Sequence, residues 1–271
     1  MGSITRILFF LLCGSILSMA QVSGPLTAGA ASAAMGGAGV TLSGVPAAWS
    51  NPAGIASLES AAFALYGEQR YGLESIRQVS ATGALPVGKH SAVGLVVGYF
   101  GFTEFNEQRI GMVYGRKLSD GIRLGAQLYT LGTRIPDYGS KQLVSAEVGI
   151  QGDISRAVSF GARVANPVRV EILNEEYLPS VLSIGINYHP GKQLMLLAEA
   201  EKNLIYPVRI RAGLEYQFLD ALFLRMGVAT QPSLLSFGVG YTLRQQWRLD
   251  VSAAWHQYLG FTPGIGLVFT R

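Results

Sequence analysis

The strongest constraint on this chain is a two-residue alternation of apolar and polar side chains that recurs from Ser60 to Arg271. It is clearest between Tyr206 and Phe218, where apolar residues at even positions alternate with Arg, Gly, Glu and Gln at odd positions. Because successive side chains of a strand point to opposite faces, each such segment has one apolar and one polar face. Apart from the N-terminal leader, no stretch reaches the roughly eighteen consecutive apolar residues of a membrane-spanning helix. The pattern therefore predicts strands and excludes a helical bundle.

Composition places these strands in a membrane. Hydrophobic residues make up 49% of the chain, mean hydropathy is +0.31 and charged residues are only 14%, against about a quarter in soluble proteins. A soluble β-sandwich is the structural alternative, since alternation alone also fits it. The low charge, the evenly recurring apolar faces and an export signal favour a closed barrel, which leaves no backbone group unpaired in lipid. The net charge of +4 is spread along the chain, so we expect no nucleic-acid binding.

The alternation divides the chain after Ser60 into about fourteen strands. Their approximate cores are 61–68, 75–86, 90–100, 105–117, 121–133, 141–152, 156–166, 178–189, 192–202, 205–218, 221–230, 233–243, 246–257 and 261–270. The connections after even-numbered strands are short, and those after odd-numbered strands are mostly longer, notably Ile135 to Ser140 and Asn166 to Leu178. Short periplasmic turns and longer extracellular loops are typical of outer-membrane barrels. We therefore predict an all-β, transmembrane antiparallel barrel in the outer membrane of a Gram-negative bacterium.

The segment before the barrel divides into two parts. Residues 1–20 have one positive charge, an apolar run and the small-residue cleavage site Ser18-Met19-Ala20, which together predict a signal peptide. A lipoprotein anchored through Cys13 is the alternative; Leu12 opposes it, because a small residue is expected there. Residues 21–59 include an uncharged run rich in Gly and Ala, with too few apolar side chains to build a core of its own. We predict that it forms a hatch in the lumen of the barrel, residues 60–271.

Three short motifs in the hatch, taken with the barrel, resemble a known family. They are Gly29-Ala30-Ala31, Gly36-Gly37-Ala38-Gly39 and Asn51-Pro52-Ala53-Gly54. The chain resembles the family that contains the FadL long-chain fatty-acid channels and the PorV/PorQ proteins of type IX secretion. The resemblance implies a fourteen-stranded barrel plugged by its own N-terminus, with Asn51, Pro52, Ala53 and Gly54 as a hatch motif.

The resemblance implies two alternative functions. Because no loop is longer than about a dozen residues, the chain is more similar to a small PorV/PorQ-like member than to FadL. That similarity implies a role in type IX secretion or scaffolding, with type IX components or secreted proteins as partners. The alternative is FadL-like passive passage of small hydrophobic molecules such as long-chain fatty acids. A hydrophobic cleft for them is expected beside the hatch, near Phe100, Phe102 and Phe105.

The polar faces of the strands predict a set of charged residues in the lumen. The set is Glu107, Arg109, Arg123, Glu147, Arg163, Glu199, Glu201, Arg209, Arg211, Glu215, Arg225, Arg248 and Asp250. It either lines a polar path for solute or forms a paired network that fills the lumen and anchors the hatch. The nearly balanced signs favour the network, because buried charges are normally paired. Glu199 and Glu201 are expected to pair across strands with Arg209 and Arg211.

Catalysis, metals and cofactors find little support in the sequence. His90, His189 and His256 lack metal-ligand spacing. His256 with Ser252 is the only pair that fits a lipid hydrolase, and no oxyanion feature accompanies it. The glycine-rich run from Met35 to Gly39 lacks the strand and helix of a dinucleotide loop. We expect no enzymatic activity, no metal and no cofactor, with outer-membrane lipid as the surrounding partner.

Overall fold

The computed structural model describes residues 29–136, 139–168, 170–173, 176–204 and 206–271. Within these ranges, fourteen antiparallel strands form one closed barrel, so the predicted fold class is confirmed. The predicted signal peptide and the start of the predicted hatch, residues 21–28, lie outside the described residues. None of the helices in the described ranges is long and apolar enough to cross a membrane.

Sixteen strands follow one another along the described chain, and two of them, β8 and β9, form a separate hairpin outside the barrel sheet. In chain order they are β1 (Ala62–Gln69), β2 (Arg77–Val87), β3 (Ser91–Phe102), β4 (Phe105–Ser119), β5 (Ile122–Ile135), β6 (Gly139–Asp153), β7 (Val158–Ala165), β8 (Glu171–Leu173), β9 (Glu176–Tyr177), β10 (Val181–Tyr188), β11 (Leu194–Asn203), β12 (Arg209–Leu219), β13 (Leu222–Ala229), β14 (Leu234–Leu243), β15 (Trp247–His256) and β16 (Gly260–Thr270). Each barrel strand pairs with its neighbours along the chain, β7 pairs with β10, and β1 pairs with β16 to close the barrel.

Each of the fourteen predicted cores corresponds to one barrel strand, with ends displaced by at most about four residues. The largest displacement is at β12, which begins at Arg209 rather than at 205. All the predicted short turns lie at the rim where β1 begins and β16 ends, which we call the terminal rim. The loops of the opposite rim are less uniform than predicted. Phe102 and Phe105 flank a tight turn there, and their rings lie 6.3 Å apart.

The two faces of the strands have opposite character. On β4, Ile110, Met112 and Tyr114 are exposed on the outer surface, whereas Val113 and Arg109 are buried on the inner side. The outer surface carries large apolar side chains on most strands, and the inner surface carries the charged residues and many glycines. This arrangement suits an apolar surrounding outside and a filled, polar interior.

The hatch runs through the lumen as a series of short helices. They are α1 (Ala30–Ala34) and the 3₁₀ helices Val45–Trp49 and Pro52–Ser57; a third 3₁₀ helix, Arg70–Gly72, lies in the loop between β1 and β2. Ala34, Ala48 and Asn51 are completely buried. The small side chains predicted to need external walls are therefore enclosed by the barrel.

Wall glycines allow the hatch backbone to lie directly against the barrel. A Cβ at Gly125 would come within 3 Å of the Pro52–Ala53 backbone, and a Cβ at Gly227 would come within 3 Å of Gly36. Inward-facing glycines that meet the hatch this closely form what we call the glycine belt: Gly115, Gly125, Gly149, Gly161, Gly185, Gly213, Gly227 and Gly238. Their lack of a side chain sets the position of the hatch.

Candidate functional site

Asn51 is the central residue of the hatch motif. Its Oδ1 accepts a hydrogen bond from Ala53 N at 3.1 Å, which caps the 3₁₀ helix that Pro52 begins. Its Nδ2 donates to Val40 O at 2.8 Å within the hatch and to Ile150 O at 3.1 Å on β6. One buried amide therefore joins two turns of the hatch to each other and to the wall.

Gly54, the last residue of the motif, is required by space inside the hatch. A Cβ there would come within 3 Å of Ala47 Cβ and of Leu42 O. Gly54 O accepts a hydrogen bond from Gly44 N at 3.1 Å, which closes the hatch on itself. The motif residues thus act as a compact folding unit.

Polar side chains of the wall bind the hatch backbone. Ser236 on β14 accepts a hydrogen bond from Gly36 N at 2.7 Å and donates to Ala34 O at 3.0 Å, and three further anchors lie together on one side of the barrel. Glu199 Oε2 on β11 accepts hydrogen bonds from Gly39 N at 2.7 Å and Val40 N at 2.9 Å. Gln151 Nε2 on β6 donates to Val40 O at 3.0 Å. Arg163 Nη1 on β7 donates to Trp49 O at 3.0 Å. We call this side, formed by β6, β7 and β11, the anchoring wall.

The predicted lumen charges form ion pairs behind these anchors. Arg211 contacts both Glu199 and Glu201, with N···O distances of 2.7 and 2.8 Å. Glu147 contacts Arg109 at 2.8 Å and Arg163 at 3.5 Å. Arg163, which binds Trp49 O, is thus oriented by Glu147. In the same way, Arg211 orients Glu199, which binds the hatch amides.

Four further predicted residues form a closed quartet nearer the terminal rim. Arg225 bonds Glu215 at 2.5 Å and Asp250 at 2.8 Å, and Arg248 bonds the same two carboxylates at 2.9 and 3.2 Å. Arg225 is fully buried. We call Glu215, Arg225, Arg248 and Asp250 the charge quartet. Its two positive and two negative charges cancel, so the group has no net charge.

Three predicted lumen residues lie outside these clusters. Arg123 pairs with Asp153 at 2.9 Å near the terminal rim. In the described parts of the chain, Arg209 and Glu107 form no ion pair within 4 Å. Arg209 is opposite Glu201 in the strand register, but Arg211 takes both nearby carboxylates, because a guanidinium fork can bind two acceptors at once.

A further acidic residue, Glu68, lies at the other end of the lumen and is not among the predicted lumen charges. Glu68 accepts hydrogen bonds from Tyr66 Oη at 2.6 Å and Arg70 Nε at 2.8 Å. The alternation of β1 indicates that Glu68 faces inward, because it follows the buried positions Ala62, Ala64 and Tyr66. Gln151 was missed because nothing in an uncharged amide predicts that it meets the hatch.

A cavity of about 310 Å³ lies beside the hatch, and among the described residues Met195 of β11 is the one residue of the anchoring wall in its lining. The hatch and strands β1, β2, β15 and β16 form most of its lining. Apolar residues such as Val45, Leu58, Ala64 and Val268 line it, together with three members of the charge quartet, Glu215, Arg248 and Asp250. Trp49 also lines it and donates from Nε1 to Thr82 Oγ1 at 2.6 Å.

The three phenylalanines predicted to form a cleft are not part of this lining. Phe102 and Phe105 lie together at the opposite rim. The Arg70 guanidinium lies 4.6 Å from the centre of the Phe100 ring, a cation–π distance. The structure thus places a cation against Phe100, and a cleft at these three residues stays a prediction.

His256, the histidine that was considered together with Ser252, stabilises a turn. His256 Nδ1 accepts hydrogen bonds from Tyr258 N at 3.1 Å and Leu259 N at 3.2 Å, which closes the turn between β15 and β16. Its hydrogen-bond acceptor is therefore occupied by the backbone, and it makes no hydrogen bond to Ser252. Among the residues that the structure describes, no group of three His, Cys, Asp or Glu side chains could hold a metal ion.

Comparison with known proteins shows the fold. No family model matches the chain, and no curated protein matches its sequence. The CymD monoaromatic hydrocarbon channel is similar with a TM-score of 0.71 and 14% identity, over 90% of this chain and 97% of that one. The toluene transporter TbuX of Ralstonia pickettii gives 0.70 and 13%, over 89% and 96%. A Pseudomonas aeruginosa FadL homologue gives 0.65 and 12%, over 89% and 96%.

This chain has the barrel fold of the FadL-type channels. The similar structures named here are channels or transporters rather than enzymes. None of them supports the PorV/PorQ part of the predicted resemblance. At such low identity the likeness concerns the fold alone.

Proposed function

We propose that this protein is an outer-membrane channel through which small hydrophobic molecules pass beside the hatch. The observation that carries the proposal is the apolar cavity between the hatch and the strands β1, β2, β15 and β16. Its volume of about 310 Å³ exceeds the roughly 150 Å³ that suffices to enclose benzene. The fold, shared with toluene and monoaromatic hydrocarbon channels, supports the same reading.

The distribution of polar contacts supports a route along the cavity side. The anchoring wall holds the hatch through Glu199, Gln151 and Arg163. On the cavity side Trp49 bonds Thr82, and much of the remaining surface is apolar. A solute that widens the cavity therefore separates apolar surfaces and leaves the anchoring bonds intact.

The charge quartet at the edge of the cavity favours uncharged solutes. Its charges cancel, so it presents no net field of one sign, unlike the charged rings that select ions in open pores. In the same proposal, residues 1–20 direct export, residues 21–59 form the hatch and residues 60–271 form the barrel. The role in type IX secretion stays a prediction that the resemblance alone implies.

The proposal is tested by filling the cavity. Ala64→Phe places a ring in the cavity, and Ala126→Phe, on the exposed outer face of β5, is the matched control. Cells carrying each variant in the outer membrane are assayed for uptake of labelled toluene and of a labelled long-chain fatty acid. We expect Ala64→Phe to slow uptake of at least one of them and Ala126→Phe to leave it unchanged. If cells that carry the parent protein take up neither molecule faster than cells without the protein, the proposal is refuted.

A further inference from the structure

A group of basic residues lies outside the lumen, at the terminal rim. Lys89 is exposed in the turn between β2 and β3, and Arg116 and Lys117 lie near the end of β4. The two turns are joined, because Lys117 N donates to His90 O at 2.7 Å. We call Lys89 and Arg116 the basic rim patch; Lys117 follows the inward-facing Gly115 and lies on the other face of β4. In the described chain, neither residue of the patch has a carboxylate within 4 Å, so their charges are not neutralised by the protein.

Arg116 belongs to the outer face of the barrel. It follows the outward-facing residues Met112 and Tyr114 in the alternation of β4, and all three are exposed. In the adjoining strand it is opposite Leu124, which is also exposed. Its guanidinium therefore emerges where the apolar outer surface ends. A long basic side chain in this position can rest its methylenes on apolar surface and extend its charge into the headgroup layer.

Hydroxyl groups complete the patch. Tyr114 Oη lies 3.0 Å from Ser91 Oγ and beside the Arg116 guanidinium. Ser91 and Arg116 are paired in the β3–β4 register. A guanidinium, an ammonium group and hydroxyl donors at the edge of an apolar surface match the needs of a lipid phosphate: charged hydrogen bonds to its oxygens and apolar contact for its acyl chains.

We propose that the basic rim patch binds the headgroup phosphate of an anionic glycerophospholipid. The terminal rim carries the predicted short turns, and outer-membrane barrels have their short turns on the periplasmic side. The lipid is therefore one of the periplasmic leaflet. The site lies on the outer wall, away from the cavity beside the hatch, and does not depend on the proposed channel function.

The test uses native mass spectrometry of the full-length protein released from detergent in the presence of phosphatidylglycerol and phosphatidylcholine with identical acyl chains. The test variant combines Lys89→Gln and Arg116→Gln. The control removes the same charge from exposed positions of the opposite rim, by Arg134→Gln and Lys141→Gln. We expect the parent and the control to retain phosphatidylglycerol preferentially, and the patch variant to lose that preference by about tenfold or more.

Three outcomes would overturn the proposal. The first is an unchanged phosphatidylglycerol preference in the patch variant, provided that it still migrates as a folded barrel on unheated gels. The second is complete displacement of the lipid by inorganic phosphate, which would indicate a site for free anions. The third is tighter retention of lipopolysaccharide than of phosphatidylglycerol at the same patch, which would assign the site to the opposite leaflet.

Discussion

Substituting Glu199 by Gln should loosen the hatch without dismantling the barrel. The carboxylate has two functions: Oε2 accepts from Gly39 N and Val40 N, and Oε1 accepts from Arg211 at 2.7 Å. A glutamine has one acceptor oxygen and an NH₂ group, so it can serve the hatch amides or Arg211, but not both. Glu199 is buried, so water cannot replace the lost partner freely.

The magnitude follows from the bonds that are lost. A hydrogen bond to a charged group contributes about 1.5–3 kcal/mol, and an unpaired buried donor adds to the cost. We therefore expect local opening of the hatch to become easier by about 2–3 kcal/mol. Since 1.4 kcal/mol is a tenfold change in an equilibrium, the amides of Gly39 and Val40 should exchange roughly 30- to 150-fold faster with deuterium.

Hydrogen exchange measured by mass spectrometry on hatch peptides checks this expectation. Glu201→Gln is a matched control, because Glu201 lies on the same face of β11 and also bonds Arg211, at 2.8 Å, but contacts no hatch amide. Exchange in the barrel strands should be unchanged in both variants. If hatch peptides of both variants exchange at the same rate, the carboxylate of Glu199 does not hold the hatch and the reasoning fails.

Three further substitutions test other parts of the lumen. Asn51→Ala should destabilise the hatch by about 2–4 kcal/mol, because it leaves several buried backbone groups unpaired; equal loss of the folded gel band on heating in mutant and parent would contradict this. Gly125→Ala should lower the yield of folded barrel by pushing a methyl group into the hatch backbone, whereas Gly83→Ala, which meets nothing within 4 Å, should not. Arg225→Gln should lower denaturant stability in detergent by about 3–5 kcal/mol, since it leaves the buried Asp250 and the half-buried Glu215 each short of a partner; an unchanged midpoint would show that the quartet is not stabilising.

Much of the fold follows from the sequence because the two environments of the wall are so different. Every strand separates an apolar exterior from a filled interior, so its side chains alternate strictly, as at Arg109, Ile110 and Val113. The strand ends are set by turn geometry, which alternation does not report. The lengths of the loops at the opposite rim were therefore predicted less well.

The site could be predicted only in part. Alternation identified the charged residues of the lumen, but not their partners, because Arg211 reaches two carboxylates and leaves Arg209 without an ion pair. The anchoring bonds join residues far apart in sequence; Glu199 and Gly39 are separated by 160 positions. Which wall residue meets which hatch amide depends on the path of the hatch through the lumen, and the sequence does not show that path.

The wall itself gives the reason why the cavity lies on one side of the hatch. Where the hatch backbone comes closest to the barrel, the inward-facing residues are the glycines of the glycine belt, on β4 to β7, β10 and β12 to β14. On β1 and β2 no glycine meets the hatch this closely; the inward positions beside the cavity hold Ala64, Ser80 and Thr82. These small side chains are too short to fill the space between the hatch and the wall. Because the anchoring bonds hold the hatch in place, Ala64→Gly should enlarge the cavity and Ala64→Phe should fill it, and the two variants should change uptake of labelled toluene in opposite directions.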